Sequence, residues 1–183
     1  MTYYRNKFDK TGQCSRDGEK AEVTFVDLAK KRGYLPKKAT RSENMFAHVD
    51  WILTGKSKKG KKVEIKVDVK ARKKTSRRDN KYNDEWQWIE FKNVQGKEGW
   101  LFGDADFIVF EREEDFVLVN RKELVNWLGA CKKIRYDLPF VSLAKLAKYK
   151  IYQRRGRRDE ITQIKTEDIL SLESAQVWKK SDG

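Results

Sequence analysis

The sequence predicts an α/β (α+β) fold: a helix first, then a mixed set of strands flanked by further helices. Three observations carry this. Residues 18–34 set Ala21, Phe25, Leu28 and Ala29 at helical spacing and stop at Gly33. Residues 62–70 alternate, Val63, Ile65, Val67 and Val69 against Glu64, Lys66, Asp68 and Lys70, which is the two-residue period of a strand. Residues 105–110 are nearly all apolar, the pattern of a strand buried on both faces.

The elements follow in order. Residues 1–17 read as a polar lead-in, 19–32 as the helix, and 35–47 as a connection or short strand. Residues around Asp50 pair with 62–70 across a basic turn carrying Gly55 and Gly60, a hairpin that runs to about Ala71. Residues 71–84 lack apolar content and read as a basic loop; 85–93 read as a strand. Gly96, Gly99 and Gly103 mark a crossing that includes Trp100 and Phe102. Residues 105–110 and 116–119 form a second hairpin. Asn120-x-x-Glu123 then starts a helix whose apolar face is Leu124, Val125, Trp127 and Leu128 and whose stop is Gly129. Beyond it, 142–149 suit a short helix, 149–153 could pair with 160–165, and Thr166 opens another helix. The expectation is one domain over 1–183, with a core at about 18–128 and a basic extension at about 129–183 packed on it.

A net charge of +14 on 183 residues favours a polyanionic partner. No stretch is long enough to span a membrane, and the N-terminus has no apolar signal core. Cys14 and Cys131 are too few and too separated for a disulfide framework or a zinc site, so a reducing cytoplasm is the expected setting (host cytoplasm if phage-encoded).

The hairpin brings Asp50 beside Asp68, with Lys70 next to them. Two carboxylates meeting near a lysine can hold a hard divalent cation and a polarised water. Acid-x-lysine alone carries little: Glu64-x-Lys66, Asp68-x-Lys70, Asp79-x-Lys81 and Glu90-x-Lys92 are about what chance provides. Asp79 sits in a polar stretch, and no hairpin partner acid closely precedes Glu90. Asp68-Val69-Lys70 lies where the apolar alternation ends and a basic segment begins; Glu64-x-Lys66, on the same strand and face, stays the alternate. Glu22 borders the apolar stripe of the first helix, and Glu19 lies one turn earlier on the same edge. His48 is the only histidine and reads as a hydrogen-bonding bystander of Asp50.

Gly18-x-x-Ala21-Glu22, a helix ending Arg32-Gly33-Tyr34, then Asp50, then Asp68-x-Lys70, resembles the PD-(D/E)XK nuclease superfamily. Within it, the pattern is most similar to small Holliday-junction resolvases and related phage-type nucleases. The resemblance spans roughly residues 18–128 and departs at Val49, where the family name has Pro. It implies a restriction-endonuclease-like fold, a helix followed by a mixed central sheet of four to five strands, with metal ligands on the second and third. It also implies a magnesium-dependent DNA endonuclease, with Mn2+ substituting. Asp50 and Asp68 would be direct ligands, the Val69 carbonyl a further one, Glu22 a contributor through water or a second ion, and Lys70 the catalytic cation. Resolvases act as symmetric dimers, so a homodimer would point to branched substrates; no dimer seam is visible in the sequence.

Three basic clusters suit phosphate contacts: Lys56, Lys58, Lys59, Lys61 and Lys62; Arg72, Lys73, Lys74, Arg77 and Arg78; and the tip with Arg154 and Arg155. The first two flank the hairpin in sequence and are expected near one site. Trp51, Trp86, Trp88 and Trp127 are assigned to packing, with stacking on unpaired bases the other use of Trp86 and Trp88. The rival readings are a non-catalytic DNA-binding protein that keeps the nuclease fold, and an RNA-binding protein supported by charge alone.

Overall fold

The computed structural model describes residues 12–57, 59–76 and 79–182. Helix α1 spans Gln13–Lys31 and buries Ala21, Phe25, Val26, Leu28 and Ala29. It starts earlier than the apolar stripe because polar side chains knit its first turns: Gln13 Nε2 donates to Asp17 Oδ1 at 2.6 Å, and Arg16 Nη2 to Gln13 Oε1 at 3.1 Å. Residues 35–47 hold two elements, strand β1 (Leu35–Lys38) and helix α2 (Arg41–Ala47). A capping box starts α2: the Thr40 hydroxyl accepts the Glu43 amide, and the Glu43 carboxylate accepts the Thr40 amide.

Strands β2 (Trp51–Lys56) and β3 (Lys62–Lys70) form the expected antiparallel hairpin. Strands β5 (Phe107–Glu111) and β6 (Asp115–Asn120) form the second, and Asn120 caps α3 (Arg121–Ala130). The central sheet runs β1-β2-β3-β5-β6-β8, where β8 is Gln176–Lys179. Only β3 and β5 pair in parallel, which makes the sheet mixed.

Six strands replace the expected four to five, and β4 (Trp86–Lys92) is not among them. Parallel neighbours need a long crossover. Between β3 and β5 that crossover contains β4 and a 3-10 turn at Trp100–Phe102. Strand β4 pairs instead with β7 (Glu160–Lys165) in a separate two-stranded sheet, so the C-terminal region covers the same core. The helix expected at 142–149 is only a 3-10 turn at Ala144–Leu146. The pairing expected of 149–153 with 160–165 is reduced to the bridge Tyr152 to Ile161 and the Tyr149 amide donating to the Gln163 carbonyl at 2.8 Å, and the left-handed Tyr149 (φ 54) interrupts the extended backbone between them. Helix α4 is Thr166–Leu170.

Apolar side chains pack on both sheet faces. On one, α1 lays Phe25 and Ala29 over Leu53, Val67, Val69, Val109 and Phe116, with Trp178 of β8 stacked on Phe25 at 5.5 Å. On the other, Ile108, Phe110, Val117 and Val119 meet Ile89, Trp100, Leu124 and Ile164. This double burial is why β5 and β6 read as continuous apolar runs. Among the described residues no helix is long and apolar enough to cross a membrane.

Candidate active site

The register of the first hairpin pairs Trp51 with Val67, so Asp50, one residue before β2, stands opposite Asp68. The Asp50 amide donates to the Val67 carbonyl at 2.9 Å and closes that end of the ladder. Asp50 is held at both oxygens: Asn44 Nδ2 donates to Oδ1 at 2.6 Å, and the Val69 amide donates to Oδ2 at 2.7 Å. Burial, then the charge of Asp68, pushes the Asp50 carboxyl up to about 7, against the opposing pull of Lys70 and the Val69 amide.

Asp68 is 2 % exposed. Lys70 Nζ stands 2.7 Å from its Oδ2, yet that buried oxygen receives no directed hydrogen bond. Lys70 thus meets that oxygen as a close ion pair, and a carboxylate oxygen has two lone pairs with which to bind. A buried carboxylate oxygen with capacity to spare beside a second carboxylate fits a hard divalent cation. Lys70 is steadied by the Trp100 ring, 4.7 Å away. Glu64 and Lys66, by contrast, are exposed further along β3, with Glu64 opposite Thr54.

Glu22 reaches the strand ends from α1. Its Oε2 accepts from Trp51 Nε1 at 2.9 Å and lies 3.3 Å from Lys38 Nζ, and its side chain is 18 % exposed. Burial first, then Asp50, raises its pKa. Glu19 points into solvent. Among the described residues no three His, Cys, Asp or Glu side chains converge at metal-holding spacing. Asp50 and Asp68 are the converging pair, with Glu22 held beside them by Trp51 and Lys38.

Sequence reasoning missed two contributors. Asn44 fixes Asp50 from α2; the Thr40-x-x-Glu43 box would have located that helix. Glu90, rejected as a motif acid, comes from β4 to the Lys70 side of the cluster; its pKa is raised by burial, with Lys70 and the Trp100 amide opposing. No local signal marks it, because the β4–β7 pair brings it there. Gly99 makes the approach feasible: a Cβ there would lie 2.4 Å from the Glu90 carbonyl. His48 ends α2 in a left-handed conformation (φ 51). Burial, then Lys70, lowers its pKa.

The basic clusters divide differently from the expectation. Lys56, Lys59, Lys61 and Lys62 are exposed at the closed end of the hairpin, whereas the acids are at its open end, roughly 20 Å away along the strand. Sequence adjacency misled here because an antiparallel hairpin separates its turn from its termini. Arg72 is engaged structurally, at 2.8 Å from Asp84 and 3.2 Å from Glu113. Arg154 is likewise taken up, pairing with the fully buried Asp159, which requires a cation. Lys74 stands over the Tyr82 ring at 5.6 Å, while Lys73 and Arg155 are exposed. Lys58, Arg77 and Arg78 lie outside the described residues. Of the tryptophans, Trp86 is buried, Trp88 is half-buried and donates to the Lys74 carbonyl, and Trp127 packs on the core.

No known protein-family profile matches the chain, and no curated protein matches it. Among solved structures the chain is similar to a bacterial homing endonuclease, I-Ssp6803I, at 18% identity and a TM-score of 0.42, over 61% of this chain and 72% of that one.

Proposed function

We propose that this protein is a magnesium-dependent deoxyribonuclease that hydrolyses phosphodiester bonds at the Asp50–Asp68–Lys70 cluster. The observation that carries the reading is the facing pair of carboxylates, with Lys70 Nζ 2.7 Å from a buried Asp68 oxygen that lacks a directed donor. Asp50 and Asp68 would hold Mg2+ or Mn2+, with the Val69 carbonyl as a further oxygen and Glu22 acting through water or a second ion. When bound, the metal supplies a water of lowered pKa and a counter-charge for the phosphoryl oxygen. Asn44 and the Val69 amide orient Asp50 by one hydrogen bond at each oxygen, and each oxygen keeps acceptor capacity for a cation. Lys70 orients the attacking water or stabilises charge on the pentacovalent transition state, and its contact with Trp100 limits its motion. The charge of +14 suits a nucleic-acid partner.

The test is a panel of labelled linear, nicked, flapped and four-way DNA, incubated with Mg2+ or EDTA. The expected result is Mg2+-dependent cleavage that disappears in Asp50→Asn and Asp68→Asn while DNA binding persists. Preference for the four-way substrate, together with a dimer in solution, would assign junction resolution. DNA binding with no cleavage of any substrate would overturn the enzyme reading in favour of a binding module.

A further inference from the structure

Lys70 is already engaged by Asp68. Its Nζ stands 2.7 Å from Asp68 Oδ2, and the Asp68 side chain is 3 % exposed. The same carboxylate is proposed above to hold the metal. Whichever of its oxygens takes a divalent cation, a lysine in contact neutralises the charge that the cation needs and repels the cation itself. Lys70 therefore needs a second partner, or the lysine and the metal weaken each other's hold on the site.

Glu90 is placed to be that partner. It leaves β4 at an irregularity, where the register against β7 shifts between Glu90 and Lys92. Bulges of this kind re-aim side chains and recur beside active sites. The chain leading to Trp100 runs tight against it. Lys92 bridges Glu98, the Gly99 amide donates to the Phe91 carbonyl at 2.8 Å, and a Cβ on Gly99 would lie 2.8 Å from Glu90 Cγ. Trp100 then touches both groups: its ring is 4.7 Å from Lys70 Nζ, and its amide faces the Glu90 carboxylate.

That carboxylate is half-buried, and among the described residues no cation pairs with it. Lys92, two residues on, pairs with Glu160 at 2.6 Å. Arg154 and Asp159 also act on Glu90, but they pair with one another. Lys70 is the other cation whose charge reaches it. A desolvated carboxylate with no cation in contact is unfavourable, and an approaching lysine relieves it.

We propose that Glu90 is a positioning residue: Lys70 moves from Asp68 to Glu90 when a divalent cation takes the Asp68 carboxylate. The inference rests on the metal-binding reading of Asp50 and Asp68 and adds to it a handover of the lysine. After the move Lys70 keeps its charge and is no longer tied to a metal ligand, as its task at the attacking water or the transition state requires.

The experiment measures Mn2+ binding to the full chain without DNA, from the electron paramagnetic resonance signal of the free ion, in a double-mutant cycle of Glu90→Gln and Lys70→Met. Glu90→Gln should weaken Mn2+ binding roughly tenfold, because Lys70 then has no carboxylate to move to. Lys70→Met should bind Mn2+ more tightly than wild type, and adding Glu90→Gln to it should change the affinity less than about twofold. Glu98→Gln, an exposed change on the abutting segment, should bind as wild type does. Metal-free melting checks that each variant is folded, and Lys70→Gln takes the place of Lys70→Met if the latter is not. An unchanged Mn2+ affinity in Glu90→Gln would overturn the handover. An equal loss with and without Lys70 would also overturn it and make Glu90 a direct ligand. Wild type that binds no Mn2+, or that binds it as tightly after Asp50→Asn and Asp68→Asn, would overturn the metal site and the handover with it.

Discussion

Replacing Asp50 by asparagine tests the electrostatics of the site without reference to turnover. In the metal-free protein the Asp50 carboxyl is pushed up to about 7 by burial and by Asp68. An unfolded aspartate titrates near 3.9. A folded-state pKa above the unfolded one contributes stability that is complete below the unfolded value and is lost as pH rises through the folded value. The metal-free wild type should therefore lose stability between about pH 4 and pH 7, most steeply about midway, and level off above that, by up to roughly 4 kcal/mol in all. Relaxation around two coupled carboxylates makes that an upper bound. Asp50→Asn removes the ionisation. Its amide oxygen can still accept from the Val69 amide, and its NH2 can donate to Asn44 once that side chain flips its own amide. Little hydrogen bonding is lost, so the variant should melt higher than wild type in EDTA at about pH 8, by several degrees for a chain this size, and the gap should close as the pH falls to about 3. Adding Mg2+ should reverse the order, since only wild type has two charged ligands to gain from binding. Thermal or urea unfolding across pH, with and without Mg2+, reads all of this. A variant less stable than wild type in EDTA at pH 8, or a wild-type curve flat between about pH 4 and pH 7, would refute the account of a strained acid pair.

Three further outcomes are expected. Lys70→Ala should reduce cleavage by several orders of magnitude and Lys66→Ala by little, with DNA affinity largely kept in both; gel-shift and single-turnover assays separate the two, and the reverse order would move the motif to Glu64-x-Lys66. Glu22→Gln should slow cleavage and shift the Mg2+ requirement upward with little change in metal-free melting, while exposed Glu19→Gln should do neither; equal effects would remove Glu22 from the site. Changing Lys59, Lys61 and Lys62 together to Gln should flatten the salt dependence of DNA binding by about one unit per lost phosphate contact and leave the rate at saturating DNA unchanged, given their distance from the acids. An unchanged slope would show those lysines to be merely solvated.

Much of the fold was legible because local periodicity and burial agree. The stripe of α1, the alternation of β3, the apolar runs of β5 and β6 and the Asn120 cap of α3 are all read from neighbouring residues. The short elements were not. Strand β8 has four residues and shows only Trp178 to the core, a pattern no periodicity can register. Helix α2 buries nothing, so its capping box was the one available sign.

The sequence by itself determined the hairpin and the face that Asp68 and Lys70 share with the alternate Glu64 and Lys66, and the observed register then set Asp68 opposite Asp50. A hairpin links residues close along the chain, and its two-residue period assigns each side chain a face. Only the tertiary structure decided that β4 leaves the central sheet for β7, that Glu90 and Trp100 come to flank Lys70, and that Arg154 is spent on Asp159. It also decided that the basic hairpin turn lies far from the acids. Those placements depend on which distant segments share a buried surface and which buried charges need partners. Both are properties of the packed chain, and neither leaves a mark on the residues next door.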